Sequence, residues 1–364
     1  MQFGRLETKM RLDYIKQTIK IIIATVQDNW KYLLEDNMPK LKIGEKYVFI
    51  FFAADYNNLG DVAITVAQEK MIRENVSSNH KIVKVYLNDV VRYIKAIRKL
   101  NTKNVIVTMI GGGNNGTLYE FIERPRRLLL QKLRHYRIIS FPQTVTFENT
   151  CKAKPYEIFF RYLCGRCDDL TLIAREHESF TYYKTLEGCQ AMHTPDIVFS
   201  LYDEFPKNSC SGNKVGLIFR DDKEKVTAPD AEEILKDTLS KFEFEVVSMD
   251  TCNIRYENNS YELLRKYLAN LNDVSFAVTD RLHGMILCYI TNTPCIVFNN
   301  SNGKIKNTYY SWLQNYSNNV YFVDNISNES VMSCIEKIKN TTKVVNKPLD
   351  ENFDSLVKLL RERS

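Results

Sequence analysis

The feature that most constrains the fold is a repeated alternation. Short, nearly continuous apolar runs occur at 47–52 (YVFIFF), 82–87 (IVKVYL), 104–113 (NVIVTMIGGG), 136–144 (YRIISFPQT), 170–176 (LTLIARE) and 196–201 (DIVFSL), with helical patterns between them. A strand covered on both faces reads in this way, and strands that alternate with helices build a parallel sheet wrapped by helices. The polar stretch 202–214 (YDEFPKNSCSGNK) interrupts the series, as a domain boundary would. A second series follows, with strands at 214–222, 244–249, 274–280 and 294–300 and helices at 228–242, 260–271 and 282–291. The chain is therefore expected to be an α/β protein with two Rossmann-like domains facing a cleft. The expected divisions are a helical extension at 1–44, a first domain at 45–205, a second at 206–345, and a helix at 346–364 packing back on the first domain. A chain of 364 residues is long enough for two cores.

Charge and cysteine content narrow the function. A net charge of +6 suits an anionic ligand or an anionic membrane face but is too weak to argue for nucleic acid. Nine scattered cysteines, an odd number with no secretory signal before them, are expected as reduced thiols in a cytoplasm. Cys164 and Cys167 form a lone CxxC without the second pair a zinc site needs and outside a thioredoxin-like context. No metal or cofactor is expected. No run of about 18 apolar residues is present, so no transmembrane helix is expected. The N-terminal segment 10–34 places Leu12, Ile15, Ile19, Ile22, Ile23 and Val26 at helical spacing among lysines. It reads either as a helix packed on the domain or as an interfacial helix on an anionic membrane.

Ligands of doubly wound sheets bind at the carboxyl ends of the strands, so the strand ends carry the candidate chemistry. After the first run stand Asn58, Gly60 and Asp61, at the start of a helix expected over 62–73. Asp61 is either its N-cap or an acceptor-side base. After the third run come Gly112, Gly113 and Asn114, a cluster permitting close backbone approach but lacking the Walker A lysine. Gln143 ends the fourth strand with a donor and an acceptor. Arg175 and Glu176 open a helix with Ser179 in its first turn, and an ion pair between domains competes there with a ligand role. Arg220 ends the first strand of the second domain and reads as an anion clamp or as a surface arginine. In "TDRLHGMILCYITNTPCIVFNN" (279–300), Arg281 and His283 begin a helix at a strand end. A guanidinium, an imidazole and helix-start N–H groups together suit binding an oxyanion and moving a proton.

The motifs NLGDVAI, IGGGNNG, FPQTVTF, REHES, TPDIVF, FRDD and TDRLHGMILCYITNTPCIVFNN, in this order from about Asp55 to Lys304, resemble the polysaccharide pyruvyltransferase family. The resemblance implies a glycosyltransferase-B-like fold. It also implies transfer of pyruvate from phosphoenolpyruvate, as co-substrate, to a sugar of a bacterial surface or capsular polysaccharide precursor, forming a ketal. The implied acceptor is a lipid-linked galactose or N-acetylmannosamine glycan, and the implied place is the cytoplasmic face of the membrane. Arg281, Arg220, the helix start at Leu282 and His283 would hold phosphoenolpyruvate. His283 would protonate its methylene carbon, and Asp61 would orient or deprotonate the sugar hydroxyl. Asn58, Gly60, Gly112, Gly113, Asn114, Gln143 and Arg175 would line the acceptor side. The chain departs from the family at IFRDD (218–222), where the family often shows SLRDD, so Arg220 carries over but the preceding serine does not, and residues 1–44 lie outside the resemblance. Two rival readings are a nucleotide-sugar glycosyltransferase, with Glu262 as the residue offered to a ribose, and a glycan-binding protein without catalysis.

Overall fold

The computed structural model describes residues 2–219, 229–252, 259–299, 303–324, 326–340 and 346–362. By internal contacts the chain divides into two units. The first comprises 1–53, 69–196 and 355–364, and the second 54–68 and 197–354. The sequence reading set its boundary at 205/206 and counted 54–68 with the first domain.

In the first unit, strands β1 (Lys46–Phe51), β2 (His80–Val85), β3 (Val105–Met109), β4 (Gly112–Gly116), β5 (Arg137–Thr146), β6 (Asp169–Ala174) and β7 (Gln190–His193) form one parallel sheet. The order is β2-β1-β3-β5-β6-β7, with β4 beside the far end of β5. Its helices are α1 (Gln2–Leu34), the end of α2 (Leu59–Asn75), α3 (Val90–Ile97), α4 (Glu120–Lys132), α5 (Lys154–Cys164) and α6 (His177–Tyr183). β1 and β3 are buried along nearly their whole length, as their uninterrupted apolar runs require.

In the second unit, β8 (Lys214–Ile218), β9 (Glu245–Ser248), β10 (Phe276–Thr279), β11 (Cys295–Phe298) and β12 (Val320–Val323) pair in parallel in the order β12-β11-β10-β8-β9. Helices α7 (Pro229–Lys241), α8 (Ser260–Asn272), α9 (Leu282–Thr291), α10 (Lys304–Thr308) and α11 (Asn328–Asn340) belong to it, and α12 (Asp354–Arg361) ends the chain. Val215, Phe276, Val278, Ile296, Leu235, Leu239 and Val331 form its apolar core. The connections from β8 and from β10 leave in opposite directions along the sheet. The gap between these two strands is therefore the switch point at which such sheets bind ligands.

Three sequence expectations change. Residues 197–201 are a buried 3₁₀ turn, not a strand; a short apolar run cannot by periodicity be told from a buried helical segment. Helix α2 starts at Leu59 rather than 62, because Asn58 caps it: its side-chain oxygen accepts from Gly60 N at 3.0 Å. Asp61 thus lies inside the first turn and is not the cap. Gly112–Gly116 is a strand despite its glycines, with Gly116 at φ 115°. A Cβ there would lie 2.0 Å from Thr146 O, so the close pairing with β5 demands glycine. None of the described helices is long and apolar enough to cross a membrane.

Candidate active site at the first turn of helix α9

The second unit gathers six of the sequence-derived residues. β10 ends at Thr279, whose hydroxyl donates to Ile218 O of β8 at 2.7 Å and accepts from Arg281 N at 3.0 Å. This ties the two strands together at the switch point and fixes the backbone that starts α9. Gly284 makes the fit possible, since a Cβ there would lie 2.4 Å from Thr279 Oγ1. Arg281 is the extended N-cap residue of α9 (φ −106°, ψ 131°), Leu282 its first helical residue and His283 its second. The N-terminal N–H groups of a helix favour an anion there.

Arg281 is 8% exposed, and its guanidinium is anchored on three sides. Nε donates to Phe219 O at 3.0 Å, Nη1 lies 2.9 Å from Cys252 Sγ, and Nη2 lies 3.7 Å from Asp250 Oδ1. The sequence reading missed Cys252 and Asp250. Their signal was positional: both follow β9, the neighbour of β8. A fixed guanidinium presents its fork in one orientation, which suits a carboxylate or phosphate.

The His283 imidazole packs on Gly60. A Cβ at residue 60 would lie 2.2 Å from His283 Nδ1 and 2.7 Å from Cγ, so only glycine admits the ring. Leu59 N donates to Thr251 O at 2.8 Å, which ties the start of α2 to the loop that also carries Cys252. One residue beyond Gly60, Asp61 accepts from Tyr56 Oη at 3.0 Å. Asn58, Gly60, Asp61, Arg281, Leu282 and His283 therefore form one cluster within one unit. Tyr56 was missed because an aromatic residue in a polar loop carries no periodic signal. Arg220 lies outside the described residues. A groove of about 600 Å³ runs between β9 and α8, and Asp250, Met249, Lys266 and Tyr267 line it. Glu262, on the same groove, is engaged by Arg265 at 2.8 Å.

The remaining candidates lie in the first unit, where they bind one another. Gln143 Nε2 donates to Ile110 O and to Asn114 Oδ1, and Asn114 also accepts from the fully buried Arg126, which pairs with Glu123. Gly112 pairs with Gln143 across β4 and β5, and Gly113 follows it. Arg175 is buried in a 2.7 Å pair with Asp196 and donates to Thr144 Oγ1 at 2.8 Å. Both partners of the Arg175–Asp196 pair belong to the same unit. Thr144 and Ser179 donate in turn to Glu176, whose carboxyl burial holds above the ordinary range. These groups lock the carboxyl ends of β3, β5 and β6 to each other. Arg126 and Glu123 went unread, although their spacing of three residues on a helix is an ion-pair signal. Burial raises the thiol pKa of Cys164 and of Cys167, the latter to about 12, so neither is a thiolate near neutrality. Among the described residues no group of three His, Cys, Asp or Glu side chains is placed to hold a metal.

Two parallel, doubly wound α/β units in one chain define a glycosyltransferase-B-like protein. The fold is similar to that of the S. aureus MnaA-UDP structure (TM-score 0.52, 9% identity, covering 85% of this chain and 94% of that one). The chain belongs to the polysaccharide pyruvyl transferase family, whose sequence profile matches residues 58–302 and so includes the whole cluster around His283. It is 32% identical to General stress protein 30 of Bacillus subtilis (strain 168) over 82% of this chain and 88% of the relative. It is 25% identical to Pyruvyl transferase 1 of Schizosaccharomyces pombe over 74% of this chain and 70% of that protein. The family makes the chain a transferase of polysaccharide biosynthesis.

Proposed function

We propose that the chain transfers pyruvate from phosphoenolpyruvate to a sugar of a bacterial surface or capsular polysaccharide precursor and closes a cyclic ketal. The acceptor is a galactose or N-acetylmannosamine of a lipid-linked glycan, and the enzyme works at the cytoplasmic side of the membrane. The observation that supports this reading most is the packing of His283 on Gly60 at the helix start beside the anchored Arg281. Phosphoenolpyruvate carries a carboxylate and a phosphate. Arg281, Arg220 and the N–H groups at Leu282 and His283 bind these anions. His283 donates a proton to the methylene carbon, and positive charge develops at C2 of the enol phosphate. A sugar hydroxyl attacks C2 and gives its proton to Asp61, which passes it to the phosphate as the C2–O bond breaks and phosphate leaves. A second hydroxyl attacks C2 and returns a proton to His283 as the ketal closes. Gln143, Asn114, Gly112, Gly113 and Arg175 build a network of their own within the first unit.

The test is incubation with phosphoenolpyruvate and a panel of galactose- and N-acetylmannosamine-terminated lipid-linked acceptors, read by mass for one added pyruvate ketal and by released phosphate. His283→Asn keeps a hydrogen-bonding side chain but cannot supply a titrating proton, so turnover should fall about 10²–10⁴-fold. Its melting shift with phosphoenolpyruvate should stay near the parent's. Near-parent turnover across neutral pH in a folded His283→Asn protein would remove the acid role. A melting shift with nucleotide sugars and none with phosphoenolpyruvate would transfer the assignment to a glycosyltransferase.

A further inference from the structure

Helix α1 is amphipathic in the wrong sense for a helix held by its apolar face. Toward the first unit it turns Gln17, Ala24, Asp28 and Asn29, with Ile21 and Tyr32 as its buried members. The attachment is largely polar. Arg124 of α4 binds Asp28 through Nε at 2.7 and 2.8 Å, Tyr156 of α5 donates to Gln17, and Arg98 donates to Tyr32 Oη at 3.1 Å. Lys95 binds the carbonyls of Leu33 and Glu35 at the helix end. The opposite face carries Leu12, Ile15, Ile19, Ile22, Val26 and Trp30, with Ile22 56% and Trp30 61% exposed. Leu33 continues the stripe, which runs about 32 Å at 1.5 Å per residue. The sequence expectation is a helix packed on the domain or lying on a membrane; the helix does pack on the first unit, but through its polar face, and its apolar stripe faces solvent.

An exposed apolar stripe of this length calls for an occupant. The rims of the stripe say which. At 100° per residue, Lys9, Lys16, Lys20 and Lys31 border it on one side and Arg11 on the other, all exposed. The acids on this part of the helix are Asp13, half-buried, and Asp28, held by Arg124. A second copy of α1 paired through the stripe would set cation against cation, without the acidic flanks that paired helices use. An anionic surface meets no such conflict. Beside the stripe, Lys16, Lys20, Ile19 and Ile23 form one wall of a groove of about 380 Å³, with Arg124 across it. Its carboxylate, Glu120, is taken by Arg127 at 2.6 Å. Lysines over an apolar floor suit a phosphate headgroup above its acyl chain.

We propose that the outward face of α1 is a docking surface for a bilayer of anionic phospholipid. The docking does not depend on the pyruvyl transfer reading. It is tested with the full chain and large vesicles of phosphatidylcholine, alone or mixed with phosphatidylglycerol, by sedimentation and, in a Trp312→Phe background, by the emission of Trp30. The parent protein should sediment with the mixed vesicles, shift its Trp30 emission to the blue and come off at high salt, and should bind phosphatidylcholine alone weakly. Ile22→Glu with Val26→Glu should abolish sedimentation. Lys16→Gln with Lys20→Gln should lower partitioning roughly 25-fold, at about fivefold per lysine. These side chains face solvent, so circular dichroism of both variants should match the parent. No sedimentation with the mixed vesicles, equal binding to both lipids, or indifference to Ile22→Glu with Val26→Glu would overturn the proposal. So would a dimer by light scattering that Ile22→Glu turns into a monomer, which would give the face to a second copy.

Discussion

Gly60 lies in the first turn of α2, where alanine would ordinarily be the better helix former by about 1 kcal/mol. Here the added methyl would have to occupy the space of the His283 ring. The backbone of Gly60 has no positive φ to relieve, so the methyl's whole effect falls on the imidazole. Gly60→Ala should therefore melt within a few degrees of the parent and lose turnover nearly as fully as His283→Asn. Retained turnover in Gly60→Ala would mean that the described pose of His283 is not the working one. The half-buried His193 gives a second test at this scale. Burial first, then the nearby His177, lowers its pKa from 6.5 to about 4 in the fold, where it stacks on Phe180 at 5.3 Å. The unfolded chain takes up the proton first as pH falls, so the stability tied to neutral His193 is present above pH 6.5 and is lost progressively toward pH 4. His193→Phe keeps the stacking and cannot titrate. The melting temperature of the variant minus that of the parent should rise as pH falls through this window, and a constant difference would count against the depressed pKa. Single residues were legible where their chemistry stood in a turn of known type. Arg281, His283, Gly60 and Asp61 announced themselves at strand ends, whereas Tyr56, Cys252 and Asp250 matter only through contacts distant in sequence.

Elements were legible in proportion to their periodicity. The span 282–291 matched α9 residue for residue, because an apolar run bounded by a charged start and Asn292 leaves little choice; Asn292 takes the left-handed conformation that ends it, at φ 58°. The span 196–201 did not behave as a strand, since a buried 3₁₀ turn shows the same apolar run. For α1 the existence of the helix was readable but its orientation was not. Sequence supplies the stripe, and only the ion pair between Asp28 and Arg124 and its polar companions show which side meets the unit. The seating of α9 on β10 gives the prediction at this scale. Gly284→Ala would place a methyl 2.4 Å from Thr279 Oγ1 and 3.3 Å from Ile218 Cγ2. The helix start must then move off the switch point, at a cost of about 1–3 kcal/mol for overpacking a filled core. Urea denaturation should show that loss together with weakened binding of phosphoenolpyruvate, because Arg281 and the helix-start N–H groups move with the helix. A variant as stable as the parent would show that the junction has slack.

The whole molecule is less linear than its two series of strands suggest. Residues 54–68 group with the second unit and 355–364 with the first, so neither unit is one continuous stretch of chain. The alternation of strands and helices revealed two sheets; it could not reveal these exchanges, which depend on long-range packing. The C-terminal segment makes the point testable. α12 buries Leu356, Leu359 and Leu360. Its carbonyls also take the guanidinium of Arg137, whose Nη2 reaches Leu359 O at 2.5 Å, while Arg361 binds Asn75 at 2.9 Å. Burying three leucines is worth on the order of 5 kcal/mol. That is a large part of the roughly 5–15 kcal/mol by which a folded domain is stable. A chain ending at residue 354 should therefore unfold at much lower urea than the parent, and its early loss should be of the first unit. Leu356→Ala offers a milder form of the same test, with an expected loss of about 2–5 kcal/mol. The two units can be followed separately in single-tryptophan backgrounds, Trp312→Phe leaving Trp30 in the first unit and Trp30→Phe leaving Trp312 in the second. The Trp30 signal should move to lower urea while that of Trp312 moves less. If the shortened chain keeps the parent's midpoint, or if the Trp312 signal moves first, α12 does not stabilise the first unit as its burial requires.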